Sequence, residues 1–325
     1  MILILSYKDY EQGTDPISEW LLYYKYPFRK ITIEDLLTSS LTLNSQTGEV
    51  IINNLNLTQE INVILYRRFI KEVEFYKGVD LGKISKKINK ESNLELKSII
   101  DYMFFLLKDK YWVPNISSFS VNKEQILLEA KNQKLNTPRS IVTTSRKELI
   151  EFKKHVGEII YKPIESVGYY QIGYYTYSSY VTNITNGIIK EFSDIFFPSL
   201  FQELIEAEYE IRTFYIDGEF YSSAILRSQK EKDYNVDVKL DFDKIDTDWV
   251  TYDLPNPIKR KIIKLMKRID LITGSIDIIK STNGKYYFLE VNPVGQYLAP
   301  SFLCNYNLPK IIAEWLIKKD RSLSI

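Results

Sequence analysis

Gly274-Ser275-Ile276-Asp277-Ile278-Ile279-Lys280-Ser281-Thr282-Asn283-Gly284-Lys285-Tyr286-Tyr287-Phe288-Leu289-Glu290-Val291-Asn292-Pro293 reads as two strands joined by a tight turn. Asn283-Gly284 between two apolar-rich runs is a strong hairpin signal, because both positions tolerate the positive φ of a type I′ turn. A two-residue turn sets Thr282 opposite Lys285, Lys280 opposite Tyr287 and Asp277 opposite Glu290. Side chains alternate along a strand, so Asn292 shares the face of Glu290. Two opposed carboxylates sit about 5 Å apart and repel each other unless something lies between them. A hard divalent cation removes that cost, and oxygen donors from Asp, Glu and an Asn carbonyl suit Mg²⁺. The alternative is a solvated strand pair with scattered acids. The flanking Ile and Leu residues favour a buried sheet, where unpaired acids are rare.

Asp277 followed by Phe288-Leu289-Glu290-Val291-Asn292-Pro293 resembles the metal-binding end of the ATP-grasp superfamily. The longer ending, Leu289-Glu290-Val291-Asn292-Pro293-Val294-Gly295-Gln296-Tyr297, is similar to that of the ATP-grasp ribosomal peptide maturases, makers of microviridin-type peptides (graspetides), and most like the grasp-with-spasm branch. The resemblance implies that Asp277, Glu290 and Asn292 hold the Mg²⁺ ions of ATP. It implies an α/β fold of the ATP-grasp kind, in which an N-terminal open α/β lobe precedes two α+β subdomains that clasp the nucleotide. The expected division is an N-terminal domain over 1–119, a central subdomain over 120–190 and a C-terminal subdomain with the metal site over 191–325.

Composition narrows the function classes. The chain has 325 residues, more than one small core and enough for two or three packed lobes. A net charge of +1, from 43 basic and 42 acidic residues, gives no field that would attract nucleic acid. No stretch approaches the ~18 consecutive apolar residues of a membrane-spanning helix. The start, Met1-Ile2-Leu3-Ile4-Leu5, has no basic region and too short an apolar run for a signal peptide. One cysteine, Cys304, excludes an internal disulfide and fits a reducing cytoplasm. His155 is the one histidine, so zinc sites and histidine-dependent nucleophilic catalysis have little to build on. It falls in the last turn of a predicted helix before Gly157, where a partly cationic ring suits the helix dipole.

Along the chain, Met1 to Leu5 reads as a buried strand, and Asp15-Pro16 as a capped helix start with Ile17, Trp20, Leu21 and Tyr24 on the apolar face. Strands are expected over Ile52 to Leu57 and Val63 to Tyr66, then a long helix carrying Ile99, Ile100, Met103, Phe104 and Leu107. Tyr66-Arg67-Arg68 resembles a Tyr-Arg-Arg element of the peptide maturases, with no role assigned. Helix Asn122 to Gln133, the Pro138 loop, strand Ile141 to Thr143 and a helix capped by Ser145 and Glu148 follow the order that opens an ATP-grasp core.

Lys162 closes the strand Glu158 to Tyr161 before Pro163 and looks like the family's nucleotide lysine, with Lys123 expected beside it; the ammonium groups neutralise phosphate charge. Ser166-Val167-Gly168 through Ile172-Gly173 occupies the place of the phosphate-covering loop, although Tyr169-Tyr170-Gln171 is bulkier than usual, and a simple hairpin is the alternative. Gln202-Glu203-Leu204-Ile205 resembles the hinge that holds adenine, with an acidic strand end as the alternative. Asp217-Gly218 marks a second type I′ hairpin in which Arg212 faces Ser223, so that Glu210, Arg212 and Arg227 share one face. Two arginines and an acid there suit phosphate or carboxylate, surface ion pairs being the alternative. The resemblance implies a Glu210 contact to adenosine and roles for Arg212 and Arg227 at an acyl phosphate or the substrate. The helix after Asn256-Pro257 has a strongly basic face, read as solvated or as a dock for an acidic peptide. A last helix is expected over Asn307 to Lys318.

The implied activity is an ATP- and Mg²⁺-dependent ligase acting on a ribosomal precursor peptide made of a leader and a core containing Thr or Ser and Asp or Glu. Asp or Glu side chains would be joined to Thr or Ser as esters, or to Lys as amides, closing macrocycles. A homodimer is a further expectation; nucleic acid and membrane are not expected partners. The alternatives are a ligase adding free amino acids to a carboxylate, and a nucleotide-dependent leader-binding module without catalysis.

Overall fold

Four consecutive buried apolar side chains call for a parallel strand covered on both faces, and Ile2–Leu5 (β1) is that strand. The computed structural model describes residues 1–78, 82–118, 121–164, 169–172, 175–178, 181–227 and 247–324. Helix Asp15–Tyr23 (α1) leads to Phe28–Ile31 (β2), and a Thr32–Asp35 capping box starts Ile33–Thr38 (α2). A small meander follows, Leu41–Leu43 (β3), Val50–Ile52 (β4) and Leu55–Asn56 (β5), then Leu57–Glu60 (α3), Val63–Tyr66 (β6), Ser85–Leu106 (α4) and Tyr111–Val113 (β7). The parallel sheet runs β2-β1-β6-β7. One face packs on α4 and the meander, the other on α1 and the C-terminal helix.

Three local expectations change in this lobe. The strand expected over Ile52 to Leu57 is broken by Asn53 and Asn54, both at positive φ, which turn the chain between β4 and β5. Asp15 is the first helical residue rather than the cap, since its carboxylate accepts from the Glu11 amide and pairs with Lys30 Nζ at 2.7 Å. Ile99 lies on the exposed side of α4.

The second sheet is built from Ser140–Ser145 (β8), Ile159–Tyr161 (β9), Thr182–Asn183 (β12) and Ile195–Glu203 (β13), in the order β12-β9-β13-β8. Helices Arg146–Val156 (α6) and Asn186–Glu191 (α7) cover it, and Tyr169–Ile172 (β10) and Tyr175–Ser178 (β11) form a separate hairpin. Ser166, Val167, Gly168 and Gly173 of the expected phosphate-covering loop lie outside the described residues. In α6 the ring Nδ1 of His155 sits 2.7 Å from the Glu151 carbonyl.

The third sheet, β16-β15-β14-β17-β18, joins Ala207–Ile216 (β14), Glu219–Arg227 (β15), Thr247–Tyr252 (β16), Thr273–Ser281 (β17) and Tyr286–Asn292 (β18). Its outer face packs on Lys123–Asn132 (α5) and Asn256–Arg268 (α8). Leu298–Leu303 (α9) and Leu308–Leu323 (α10) end the chain, α10 running beyond the expected Lys318. Two features cross the expected 190/191 division: β13 pairs with β8 and β9, so the second sheet ends at Glu203, and α5 packs on the third sheet. Asn256 opens α8 as its first residue, with Pro255 in the cap position.

Candidate active site

The β17–β18 pairing sets Asp277 directly opposite Glu290 and Ser275 opposite Asn292. The route to that register differs from a two-residue turn. Ser281 donates to Lys285 O, Gly284 has φ +79° and Asn283 does not have positive φ, so three residues close the hairpin and Lys280 pairs with Tyr286 rather than Tyr287. A bulge between Asp277 and Ile278 then takes up the extra residue, Leu289, which explains how Phe288 and Val291, three apart, both face the core of α5 and α8.

Asp217 (φ +48°) and Gly218 (φ +95°) do form the expected two-residue turn, with Arg212 opposite Ser223. Arg212 also faces Asp277 on its other side. One row across four strands therefore reads Ser223, Arg212, Asp277, Glu290. The Arg212 Nε lies 3.6 Å from Asp277 Oδ1. Glu210 is two residues from Arg212 on the same face, opposite Ile279. Arg227 closes β15 opposite Thr247, on the same register face; its side chain lies outside the described residues.

Two lysines reach this row from other elements. Lys162 follows β9, its amide bonded to Leu200 O, and its Nζ lies 3.3 Å from Glu290 Oε2. Lys123 opens α5, where Asn122 caps the helix through the Gln125 amide, and its Nζ lies 3.4 Å from the same oxygen. The structure thus brings Lys123, Lys162, Arg212, Asp277 and Glu290 together, from four strands or strand ends and a helix, with Asn292 two residues beyond Glu290. All are partly shielded from water. A carboxylate oxygen shared by two ammonium groups is already an electrostatic focus for phosphate.

The hinge segment divides. The amides of Glu203 and Leu204 donate to Arg139 O and Glu158 O, and the Glu203 carboxylate is gripped by Arg139 through Nε (2.9 Å), Nη2 (2.8 Å) and the backbone amide (3.1 Å). Those hydrogen bonds from Arg139 hold the Glu203 carboxyl below the usual carboxylate range, with burial opposing. Glu203 therefore clamps β13 to the loop entering β8. Sequence reasoning missed Arg139, 64 residues away; the signal was an arginine after Pro138 at the mouth of the next strand. Gln202 behaves differently. It is 3% exposed, on the face opposite Phe201, and its Nε2 has no hydrogen-bond partner among the described residues.

A buried amide without a partner costs stability, which a ligand acceptor would recover. The donor set for a cation is two carboxylates and one carboxamide; among the described residues no group of three or more His, Cys, Asp or Glu side chains gathers. That set suits Mg²⁺, which binds through one or two carboxylates and takes its remaining ligands from phosphate and water. A cavity of about 490 Å³ at the far end of β14, lined by Lys108, Lys110, Asp217 and Asp270, contains none of these residues. No helix among the described residues is long and apolar enough to cross a membrane.

Neither a protein-family model nor a curated protein matches the sequence. Solved structures match over almost the whole chain. The macrocyclase MdnC bound with precursor peptide MdnA, from Microcystis aeruginosa MRC, superposes with a TM-score of 0.81 at 20% identity, covering 98% of this chain and 99% of that one. A Chryseobacterium gregarium RiPP-associated ATP-grasp ligase, in complex with ADP and a leader and core peptide, gives 0.82 at 21% identity, with 98% and 96% covered. The ATP-grasp ligase PsnB, complexed with minimal precursor, Mg and ADP, gives 0.79 at 16% identity, with 98% and 97% covered. At these identities the likeness establishes the fold, which is ATP-grasp.

Proposed function

We propose that this ATP-grasp chain is a ligase that macrocyclises a ribosomal precursor peptide, joining Asp or Glu side chains to Thr or Ser as esters, or to Lys as amides. The observation that carries the reading is the meeting of Lys123 and Lys162 on one Glu290 oxygen, beside the Arg212–Asp277 pair. The structural neighbours in complex with precursor peptides and ADP support the choice of substrate class.

A hydroxyl is too weak a nucleophile to displace water from a carboxylate, so the carboxylate has to be activated first. In this reading Lys123 and Lys162 hold the ATP phosphates, Gln202 lends its unpartnered amide to the base, Leu204 and Ile205 flank it, and Glu210 holds the ribose. Asp277, Glu290 and Asn292 would hold Mg²⁺, which would supply charge neutralisation on the phosphate oxygens. A substrate carboxylate oxygen attacks the γ-phosphorus and ADP leaves. Arg212, with Arg227 on the neighbouring strand, steadies the acyl phosphate by hydrogen bonds to its oxygens. The Thr or Ser hydroxyl then attacks the acyl carbon, phosphate departs, and the hydroxyl proton passes to a peptide carboxylate. The peptide loses one water per ring.

Intact mass of a Thr- and acid-rich candidate precursor, after incubation with the protein, ATP and Mg²⁺, tests this. Stepwise loss of water that disappears in Glu290→Ala is the expected result. A peptide that loses no water and instead gains the residue mass of added free amino acids would replace cyclisation by the free amino-acid ligase.

A further inference from the structure

Arg67 is almost wholly buried, at 5% exposure, and lies in the N-terminal lobe, outside the row of site residues. It follows β6, with its amide bonded to Leu5 O at the end of β1. The chain leaves β1 toward β2 and β6 toward β7, in opposite directions, so these two strand ends frame the crevice where open α/β sheets usually take a ligand. Here the crevice is filled by the protein itself.

The Arg67 Nε donates to both carboxylate oxygens of Glu11, at 3.0 and 3.1 Å, and Glu11 is 1% exposed. The Nη1 donates to the carbonyls of Val294 and Gly295, and the guanidinium lies 5.7 Å from the Tyr297 ring centroid. The Tyr297 hydroxyl donates to Gly13 O, and a Cβ at Gly13 would collide with the guanidinium. Val294 and Gly295 belong to the turn that begins at Asn292, closed by the Gly295 amide on Asn292 O at 3.1 Å. From the other side, Ser275 Oγ accepts the Gln296 amide at 2.8 Å.

The turn that carries Asn292 is thus held between the third sheet and a buried arginine of another lobe. We propose that Arg67, oriented by Glu11, is a positioning residue for the metal site: its fork on the two carbonyls fixes the turn, and the turn fixes the Asn292 carboxamide relative to Asp277 and Glu290. This rests on the Mg²⁺ and ATP reading of the cleft. Groups that orient a ligand from behind alter metal affinity by about 10–100-fold when removed. A lysine at 67 keeps a cation for Glu11 but cannot span both carbonyls and the carboxylate from a planar fork.

The experiment measures Mn²⁺ affinity in the presence of ADP by electron paramagnetic resonance, and ADP affinity without metal, for the wild type, Glu290→Ala, Arg67→Lys and the charge-neutral double variant Glu11→Gln/Arg67→Gln. The expected result is Mn²⁺ binding weakened about tenfold or more in both Arg67 variants. ADP binding without metal should stay within about twofold, because the hinge is untouched. Wild-type Mn²⁺ affinity in folded Arg67→Lys and in the double variant would overturn the proposal while leaving the cleft assignment in place. Wild-type protein that binds no Mn²⁺ with ADP would overturn both. A purely stabilising arginine would lower the melting temperature without moving the Mn²⁺ affinity of the folded protein, which also overturns it.

Discussion

Asp277 stands opposite Glu290 even though the loop between their strands is one residue longer than that pairing needs, and Leu289 is the residue that restores it. A bulge sharpens the local twist and re-aims the side chains beside it. Deleting Leu289 should leave the hairpin folded and Glu290 still opposite Asp277, next after Phe288, but without the bulge the local twist falls and the Glu290 side chain is re-aimed. Ring formation is expected to slow by about 100-fold, the usual cost of a misplacement near 1 Å, with the melting temperature shifted by only a few degrees. Single-turnover mass spectrometry beside calorimetry checks both halves.

Glu290 is expected to be electrostatically coupled to both lysines. A double-mutant cycle of Lys162→Met and Glu290→Gln on folding stability should return a coupling of about 0.5–3 kcal/mol, as for other groups in one charged network. Lys123, with twice the side-chain exposure of Lys162, should give the smaller value in the same cycle. Equal values would mean that burial does not set the strength of these contacts.

Gln202→Met removes a buried amide nitrogen that has no partner and keeps the length of the side chain. The unliganded protein should gain about 1 kcal/mol of stability by denaturant titration. ADP affinity should fall in the same variant. Glu203→Gln is expected to do the opposite, loosening the clamp to Arg139 while leaving ADP affinity nearly unchanged.

The Arg139–Glu203 clamp also sets a pH dependence. Glu203 has its folded pKa depressed, chiefly by hydrogen bonds from Arg139, below the unfolded value of about 4.3. Its stabilisation is therefore complete above about pH 4.3 and is lost as the pH falls through the lower folded value. Arg139 is more than half exposed, so solvent screening limits the contribution to at most about 1 kcal/mol. The difference in stability between wild type and Glu203→Gln should shrink below pH 4 in acid titrations followed by circular dichroism.

Gly13→Ala should destabilise the chain by about 1–3 kcal/mol, because the new methyl group meets the Arg67 guanidinium and not a flexible neighbour. Its melting temperature relative to wild type measures this.

Local pattern carried much of this architecture. The Asp217-Gly218 turn, the pairing of Arg212 with Ser223 and the Asn122 cap all follow from residues near one another in the chain, whereas Asp277 meets Glu290 as expected only because the bulge offsets the longer loop. The three-residue β17–β18 loop did not, because Asn-Gly serves both a type I′ turn and a longer loop with glycine at positive φ, and tertiary packing of Phe288 and Val291 decides between them. The Arg139 partner of Glu203 was hidden for a different reason. An acid at a strand end looks free until a distant arginine is known to reach it, and no periodicity reports a contact across 64 residues. Arg67 was visible only as part of a motif; that it reaches past Glu11 of its own lobe to the Val294 and Gly295 carbonyls depends on two lobes packing together.

Lys123 and Glu124 are neighbours at the start of α5, yet they hold opposite walls of the cleft. Lys123 reaches Glu290 on β18, while Glu124 accepts a 2.6 Å hydrogen bond from Ser140 on β8. Adjacent Cα atoms are separated by about 3.8 Å, and a helical turn gives them no freedom to part. The first turn of α5 is therefore a caliper: the gap between the two sheets is measured by one peptide unit, and any widening of the mouth has to release one of the two grips.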